Sequence, residues 1–145
     1  MSEQHKPVLS ASDIPLVALE SMNQTHREEV ELINHLGELL QAARDGKPDL
    51  EAIDRALDVW IDHTASHFER ENRLMEQYGF PPYPIHAGEH ANVLAELNTL
   101  RERWRQHQDP EPVARYLFDK WPAWFDMHVK SMDKVTAQFL SKFID

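Results

Sequence analysis

The chain has 145 residues, with 15 basic and 25 acidic side chains and a formal net charge of -10. This length suits one domain with a single core. The negative charge repels phosphate backbones and anionic lipid, so we expect neither nucleic acid nor a membrane surface as a partner. The chain contains no cysteine, which excludes disulfides, thiolate nucleophiles and iron–sulfur clusters. It shows neither a signal-peptide pattern nor a run of about 20 apolar residues, so a cytoplasmic location is expected.

The sequence predicts an all-α chain. Glycine occurs only four times, and no segment alternates apolar with polar side chains as a half-buried strand does. Residues 1–12 are polar and unpatterned and predict a flexible N-terminal arm. Residues 13–145 predict one domain, an antiparallel up-down four-helix bundle, because four apolar stripes with helical spacing are joined by short connections.

The first two predicted helices are separated by a break at Gly46 and Pro48. The first starts near Pro15, and its stripe contains Leu19, Met22, His26, Val30, Ile33, Leu36 and Leu40. The second starts at the N-cap residue Asp49, and its stripe contains Ile53, Leu57, Trp60, Thr64, His67, Glu71, Leu74 and Tyr78. Both stripes therefore carry polar side chains at positions that face the core.

The last two predicted helices repeat this arrangement. The stripe of the third contains His86, His90, Val93, Leu97, Leu100 and Trp104. The apolar face of the fourth contains Leu117, Trp121, Trp124, His128, Met132, Val135, Phe139 and Phe143. Pro122 removes a backbone donor, so we expect it to kink this helix or to mark a restart.

Five histidines and two carboxylates form a pattern across the four helices. They are His26, His67, Glu71, His86, His90, His128 and Asp133. Residues four apart share a helix face, so His67 with Glu71, and His86 with His90, each reach one small volume. Buried without partners, such groups would each cost about 1–3 kcal/mol. The pattern predicts a pair of metal ions in the bundle core, because metal ions satisfy these groups.

Asp133 does not fit this spacing. It lies five residues after His128, which corresponds to about 140° around a regular helix. Three interpretations are open: a π-type bulge aligns the two residues, they approach the metals from different sides, or Asp133 is a solvated surface acid.

The pattern resembles the hemerythrin family, which includes single-domain bacterial members and the HHE cation-binding domains. The resemblance spans about residues 19–140 and rests on four motifs. They are Asn23-Gln24-Thr25-His26, His67-Phe68-x-x-Glu71 followed by Met75, His86-x-x-x-His90 after a proline-rich turn, and Trp124-x-x-x-His128-x-x-x-x-Asp133. The unequal spacing of the last pair is itself a mark of the family.

The resemblance implies two iron ions joined by an oxo or hydroxo bridge. It assigns His86, His90 and His128 to one iron and His26 and His67 to the other, with Glu71 and Asp133 bridging both. The second iron then has one nitrogen fewer and an open position, at which members of the family bind dioxygen. The implied function is reversible dioxygen binding by a carrier, store or sensor. We expect Phe68, Trp124 and Met22 to line the oxygen pocket, although ordinary core packing explains Met22 equally well.

Two other classes of function are open. The same iron pair could belong to an enzyme or iron-handling protein that acts on dioxygen, peroxide or nitric oxide with an unknown reductase. The Glu-x-x-His pairs of the ferritin-class oxidases do not occur in this sequence, which argues against that oxidase template. A structural module holding zinc or manganese is the third class, although zinc prefers four ligands to seven. The sequence makes no prediction of oligomeric state.

Two further polar residues lie near the predicted site. His63, one turn before His67, is either a partner of a ligand, a proton relay, an access residue, or a partly exposed helical histidine. Ser131, close to His128, would speed autoxidation if its hydroxyl points inward. Neither belongs to the ligand set that the resemblance implies.

Overall fold

The structure is a computed structural model that describes residues 7–144. A 3-10 turn (Ala11–Asp13) precedes helices α1 (Glu20–Arg44), α2 (Leu50–Gln77) and α3 (Tyr83–His107). The fourth helix runs through α4 (Pro110–Arg115), a π turn (Tyr116–Lys120), α5 (Trp121–His128), a second π turn (Val129–Asp133) and α6 (Lys134–Leu140). Helix α1 packs on α2, α2 packs on α3, and the fourth helix contacts both α1 and α3. The predicted all-α, antiparallel four-helix bundle is confirmed.

The apolar core is divided into two clusters. The larger contains most of the buried aromatic side chains, among them Trp60, Phe68, Trp104, Trp121 and Phe125. The smaller consists of Leu19, Met22, Ala137 and Leu140. On α1, His26 falls between Met22 of the smaller cluster and Val30 of the larger. The polar site therefore forms a layer between two apolar layers, which shield it from water.

Helix α1 begins at Glu20, five residues later than predicted from Pro15. The cause is the side chain of Asn23, which accepts a hydrogen bond from the Val17 amide at 2.9 Å and donates one to the Val17 carbonyl at 3.0 Å. With both backbone groups of Val17 paired in this way, the preceding segment stays outside the helix.

A second asparagine holds the segment farther upstream. Asn34 accepts a hydrogen bond from the Leu9 amide at 3.0 Å and donates to the Leu9 carbonyl at 2.7 Å. Residues 1–6 of the predicted arm lie outside the described residues. The flexibility of residues 1–12 stays a prediction.

The remaining helix signals agree with the structure. The carboxylate of Asp49 accepts a hydrogen bond from the Ala52 amide at 3.0 Å and caps α2 as predicted. Pro122 is the second residue of α5, and α5 directly follows a π turn, which is how the helix accommodates the missing backbone donor. Among residues 7–144, no helix is long and apolar enough to cross a membrane.

The π turn Val129–Asp133 resolves the spacing of His128 and Asp133, and it also corrects the predicted apolar face beyond it. Val135 and Phe143 are 51% and 53% exposed, whereas Thr136 and Leu140 are fully buried. A π turn takes up one more residue than an α turn, so each buried position after it falls one residue later than regular helical spacing predicts.

This shift in register gives a stability prediction. Leu140→Ala should lower the free energy of unfolding by about 2–5 kcal/mol, because it empties a fully buried position in the smaller cluster. Val135→Ala, the matched control from the predicted face, should change it by about 0.5 kcal/mol or less. Urea denaturation followed by circular dichroism measures both values. A larger loss in Val135→Ala than in Leu140→Ala would contradict the register described above.

Candidate metal centre

The structure brings all seven sequence-predicted site residues into one buried volume. None of these residues is more than 3% exposed. They form two groups, within each of which the candidate ligand atoms lie no more than 4.8 Å apart. One group consists of Glu71, His86, His90, His128 and Asp133, and the other of His26, His67 and Glu71.

Glu71 lies between the two groups and directs one oxygen to each. Its Oε2 is 2.5 Å from Nε2 of His67. Its Oε1 is 3.4 Å from Nε2 of His90 and 3.8 Å from Nε2 of His86. Because His67 lies four residues before Glu71, both side chains point the same way from α2, and helix α3 supplies the other two nitrogens.

Asp133 makes the equivalent connection from the fourth helix. Its Oδ2 is 2.9 Å from Nε2 of His26. Its Oδ1 is 3.2 Å from Nε2 of both His86 and His128. The π turn aligns Asp133 with His128, so the surface-acid interpretation of this fully buried residue is wrong.

Two neighbouring side chains orient the imidazoles of α3. Nδ1 of His86 lies 2.8 Å from Oγ1 of Thr136, and Nδ1 of His90 lies 2.8 Å from Oδ1 of Asn72. The amide oxygen of Asn72 can only accept, so Nδ1 of His90 carries the hydrogen and its Nε2 keeps a free lone pair. The Thr136 hydroxyl lies 3.8 Å from Sδ of Met75, to which it donates, and it accepts from His86.

Neither orienting residue was predicted from the sequence. Asn72 directly follows the candidate ligand Glu71, which is the only local signal that marks it. Thr136 lies on the face that became buried through the π turn, so regular helical spacing gave no reason to select it.

The carboxylates and imidazoles of the site shift one another's pKa values. Burial alone would lower the pKa of His67, but the adjacent Glu71 carboxylate raises it to about 9. Burial and Asp133 act to raise the pKa of Glu71, and His67 outweighs both and lowers it. Burial would also raise the pKa of Asp133, yet the nearby imidazoles of His128, His26 and His86 hold that pKa well below its usual range. The carboxylates are therefore ionised at neutral pH, and His67 carries a proton.

Several inward-facing atoms lack a partner. Among the described residues, the buried atoms without a hydrogen bond include Nε2 of His90, Oε1 of Glu71 and Oδ1 of Asp133. Each such atom costs about 1–3 kcal/mol when left unpaired. Nε2 of His86 also lies 3.2 Å from Nε2 of His128. As metal ligands, both nitrogens would present a lone pair to the ion. Nitrogen and carboxylate donors arranged in this way fit a pair of transition-metal ions.

Aromatic rings surround the site. Phe68 stacks on His90 with ring centroids 4.0 Å apart, and Trp124 stacks on His128 at 4.6 Å. Phe125 meets His26 edge-on at 5.6 Å. Phe125 was not predicted from the sequence, although its position three residues before His128 places it on the ligand face of the helix. Met22 lies in the smaller apolar cluster.

His63 and Ser131 lie outside both groups. Nδ1 of His63 is 2.9 Å from Oε2 of the buried Glu29, and this bond raises the pKa of His63. Its Nε2 is 3.2 Å from Oε2 of Glu28 at the surface. Ser131 is exposed, and its hydroxyl donates to the Met127 carbonyl at 2.7 Å, so it does not point into the site.

Known proteins share this arrangement. The family model for the hemerythrin HHE cation-binding domain matches residues 17–140. A bacteriohemerythrin of Aquifex aeolicus is 32% identical over 82% of this chain and 87% of its own length. A bacteriohemerythrin of Ralstonia nicotianae is 39% identical over 60% of this chain and 62% of its own length.

The fold is shared with a solved structure as well. A crystal structure of a hemerythrin variant superimposes with a TM-score of 0.76, covering 92% of this chain and 95% of that one at 18% identity. At this identity the likeness shows the fold alone. The family model and the Aquifex relative both cover most of the chain, and the chain therefore belongs to the hemerythrin HHE cation-binding family.

Proposed function

We propose that this protein holds two iron ions and binds dioxygen reversibly at an open position on one of them. The proposal rests on the position of the two carboxylates, each of which lies between the two groups of histidines. Each of Glu71 and Asp133 directs one oxygen to the three-histidine group and the other to the two-histidine group. A carboxylate placed in this way could supply one oxygen to each of two ions.

The ligand sets that we propose are unequal. His86, His90 and His128 would hold one iron, and His26 and His67 the other, with Glu71 and Asp133 shared. When bound, the iron pair supplies the two electrons that reversible dioxygen binding requires. The iron held by His26 and His67 would have one nitrogen donor fewer, so the open position would be on that iron.

Cavities reach both sides of the site, and one of about 290 Å³ reaches His86 of the three-histidine group. A cavity of about 240 Å³ lies under the N-terminal segment and reaches His26. Its lining includes Ile14, Pro15 and Leu16 from that segment and Asn23 from α1. The cavity would admit a small neutral molecule to the two-histidine iron.

The residues around the open position exclude water. Phe68 and Phe125 are 2% and 1% exposed, and each packs against a histidine of the site. Reversible binding requires that protons and external reductants do not enter the pocket itself, and these rings limit the approach of water from the bundle interior. Met22, 4% exposed, would close the pocket around the open position on the side of the smaller apolar cluster.

An enzyme or iron-handling protein that acts on peroxide, nitric oxide or dioxygen is the second candidate. It is favoured by Trp124, a half-buried side chain that stacks on His128 and so connects the proposed iron pair with the surface. The reductase such an enzyme needs and a cytoplasmic location both remain predictions.

An oxygen titration tests the leading proposal. Anaerobically reduced, iron-loaded protein should show two irons per chain and an absorption band that appears with dioxygen and vanishes on degassing. His67→Ala should lose the second iron and the band, because it removes one of only two nitrogens in that group. His107→Ala, at an exposed histidine outside the site, should behave like the unchanged protein. Direct passage to a stable oxidised form would favour the second candidate.

Proton release on metal loading is a separate prediction. His67 keeps its proton below about pH 9 in the metal-free protein, and iron binds only the neutral imidazole. Affinity for the second metal ion should therefore weaken by about tenfold for each pH unit below that value. Calorimetry of anaerobic Fe²⁺ binding in buffers of different ionisation enthalpy counts the protons. His107→Ala serves again as the control, and pH-independent affinity would contradict the protonation state described above.

A further inference from the structure

Trp124 occupies an unusual position beside the proposed iron pair. Its indole stacks on the imidazole of His128, with ring centroids 4.6 Å apart and planes inclined by 17°. The side chain is half-buried, whereas His128 is 3% exposed. Trp124 therefore lies between a candidate iron ligand and the solvent and contacts both.

The indole nitrogen of Trp124 has a charged partner. Its Nε1 donates to Oε1 of Glu89 at 2.6 Å. Trp60 and Trp121, by contrast, have buried indole nitrogens without a hydrogen-bond partner. When an indole loses one electron its N–H becomes strongly acidic, so a carboxylate at hydrogen-bond distance eases the oxidation by accepting the proton.

The fourth tryptophan provides a natural comparison. Nε1 of Trp104 donates to Oδ1 of Asp54 at 2.8 Å, so it too is paired with a carboxylate. None of the ring contacts described for residues 7–144 joins Trp104 to a histidine of the site. Only Trp124 combines a carboxylate partner, a ring contact with a candidate ligand, and access to solvent.

We propose that Trp124 and Glu89 form a one-electron relay through which the iron pair reduces hydrogen peroxide at the expense of a small reductant at the surface. The inference rests on the proposed iron pair. A centre that gives two electrons to dioxygen, and does not recover them, releases hydrogen peroxide after two protons are added. The relay would remove the by-product of the protein's own oxygen chemistry.

The reaction is balanced by two passes through Trp124. Breaking the O–O bond of hydrogen peroxide takes two electrons and two protons and gives two water molecules. In each pass the indole would give one electron to the iron pair and its N–H proton to Glu89, which then releases that proton to solvent. The two protons that complete the water molecules would come from solvent. A surface reductant such as ascorbate then returns one electron and one proton to the indole and is itself oxidised by one electron.

The relay is tested in iron-loaded protein treated with hydrogen peroxide. Without a reductant, electron paramagnetic resonance of rapidly frozen samples should show an indole radical, and peptide mass spectrometry should find added oxygen chiefly at Trp124. Ascorbate should suppress both signals. Trp124→Phe keeps an aromatic ring against His128 but should lose the radical and consume ascorbate severalfold more slowly. Trp104→Phe, the matched control, should keep both properties.

A second variant separates the relay from a packing role. Glu89→Gln retains the indole and a hydrogen-bond acceptor but removes the base, so the radical yield should fall while the iron content stays unchanged. A radical that persists in Trp124→Phe, or oxidation spread evenly over the four tryptophans, would overturn the relay while leaving dioxygen binding intact. A chain that binds no iron would overturn both proposals, and counting iron in every sample distinguishes the two failures.

Discussion

The architecture depends on two carboxylates buried in the middle of the bundle. Glu71 and Asp133 sit on opposite helices, and each contacts histidines of both groups. A buried, unpaired carboxylate would destabilise the fold by several kcal/mol. The surroundings of the site offset this cost. Five imidazoles lie within reach of the carboxylates, aromatic rings exclude water, and apolar clusters pack above and below.

The metal-free state satisfies the same constraint in a different way. The proton on His67 neutralises part of the charge of Glu71, as its pKa of about 9 indicates. Metal binding would replace this proton with a cation, in a layer where Thr136 and Asn72 already orient two of the imidazoles.

Most of the fold could be predicted from the sequence, because long helices with apolar stripes leave a strong periodic signal. The seven residues selected from the sequence, each of which interrupts an apolar stripe or continues a family motif, lie together in one buried cluster. Their role as metal ligands stays a prediction. What could not be predicted depends on tertiary contacts. Asn23 delays the start of α1 by pairing with Val17, and the orienting role of Thr136 becomes visible only once the register of the last helix is known.

The π turn at Val129–Asp133 has a further consequence for how this chain is compared with others. In a regular helix, residues four apart differ in direction by only about 40°. An aspartate four residues after His128, instead of five, would therefore share its face without a π turn. The turn is thus equivalent to a single-residue insertion that the helix absorbs before Thr136. If this helix were aligned without gaps to a helix that lacks the π turn, every residue after the turn would be mispaired, and structural equivalence would have to be read from the buried face instead.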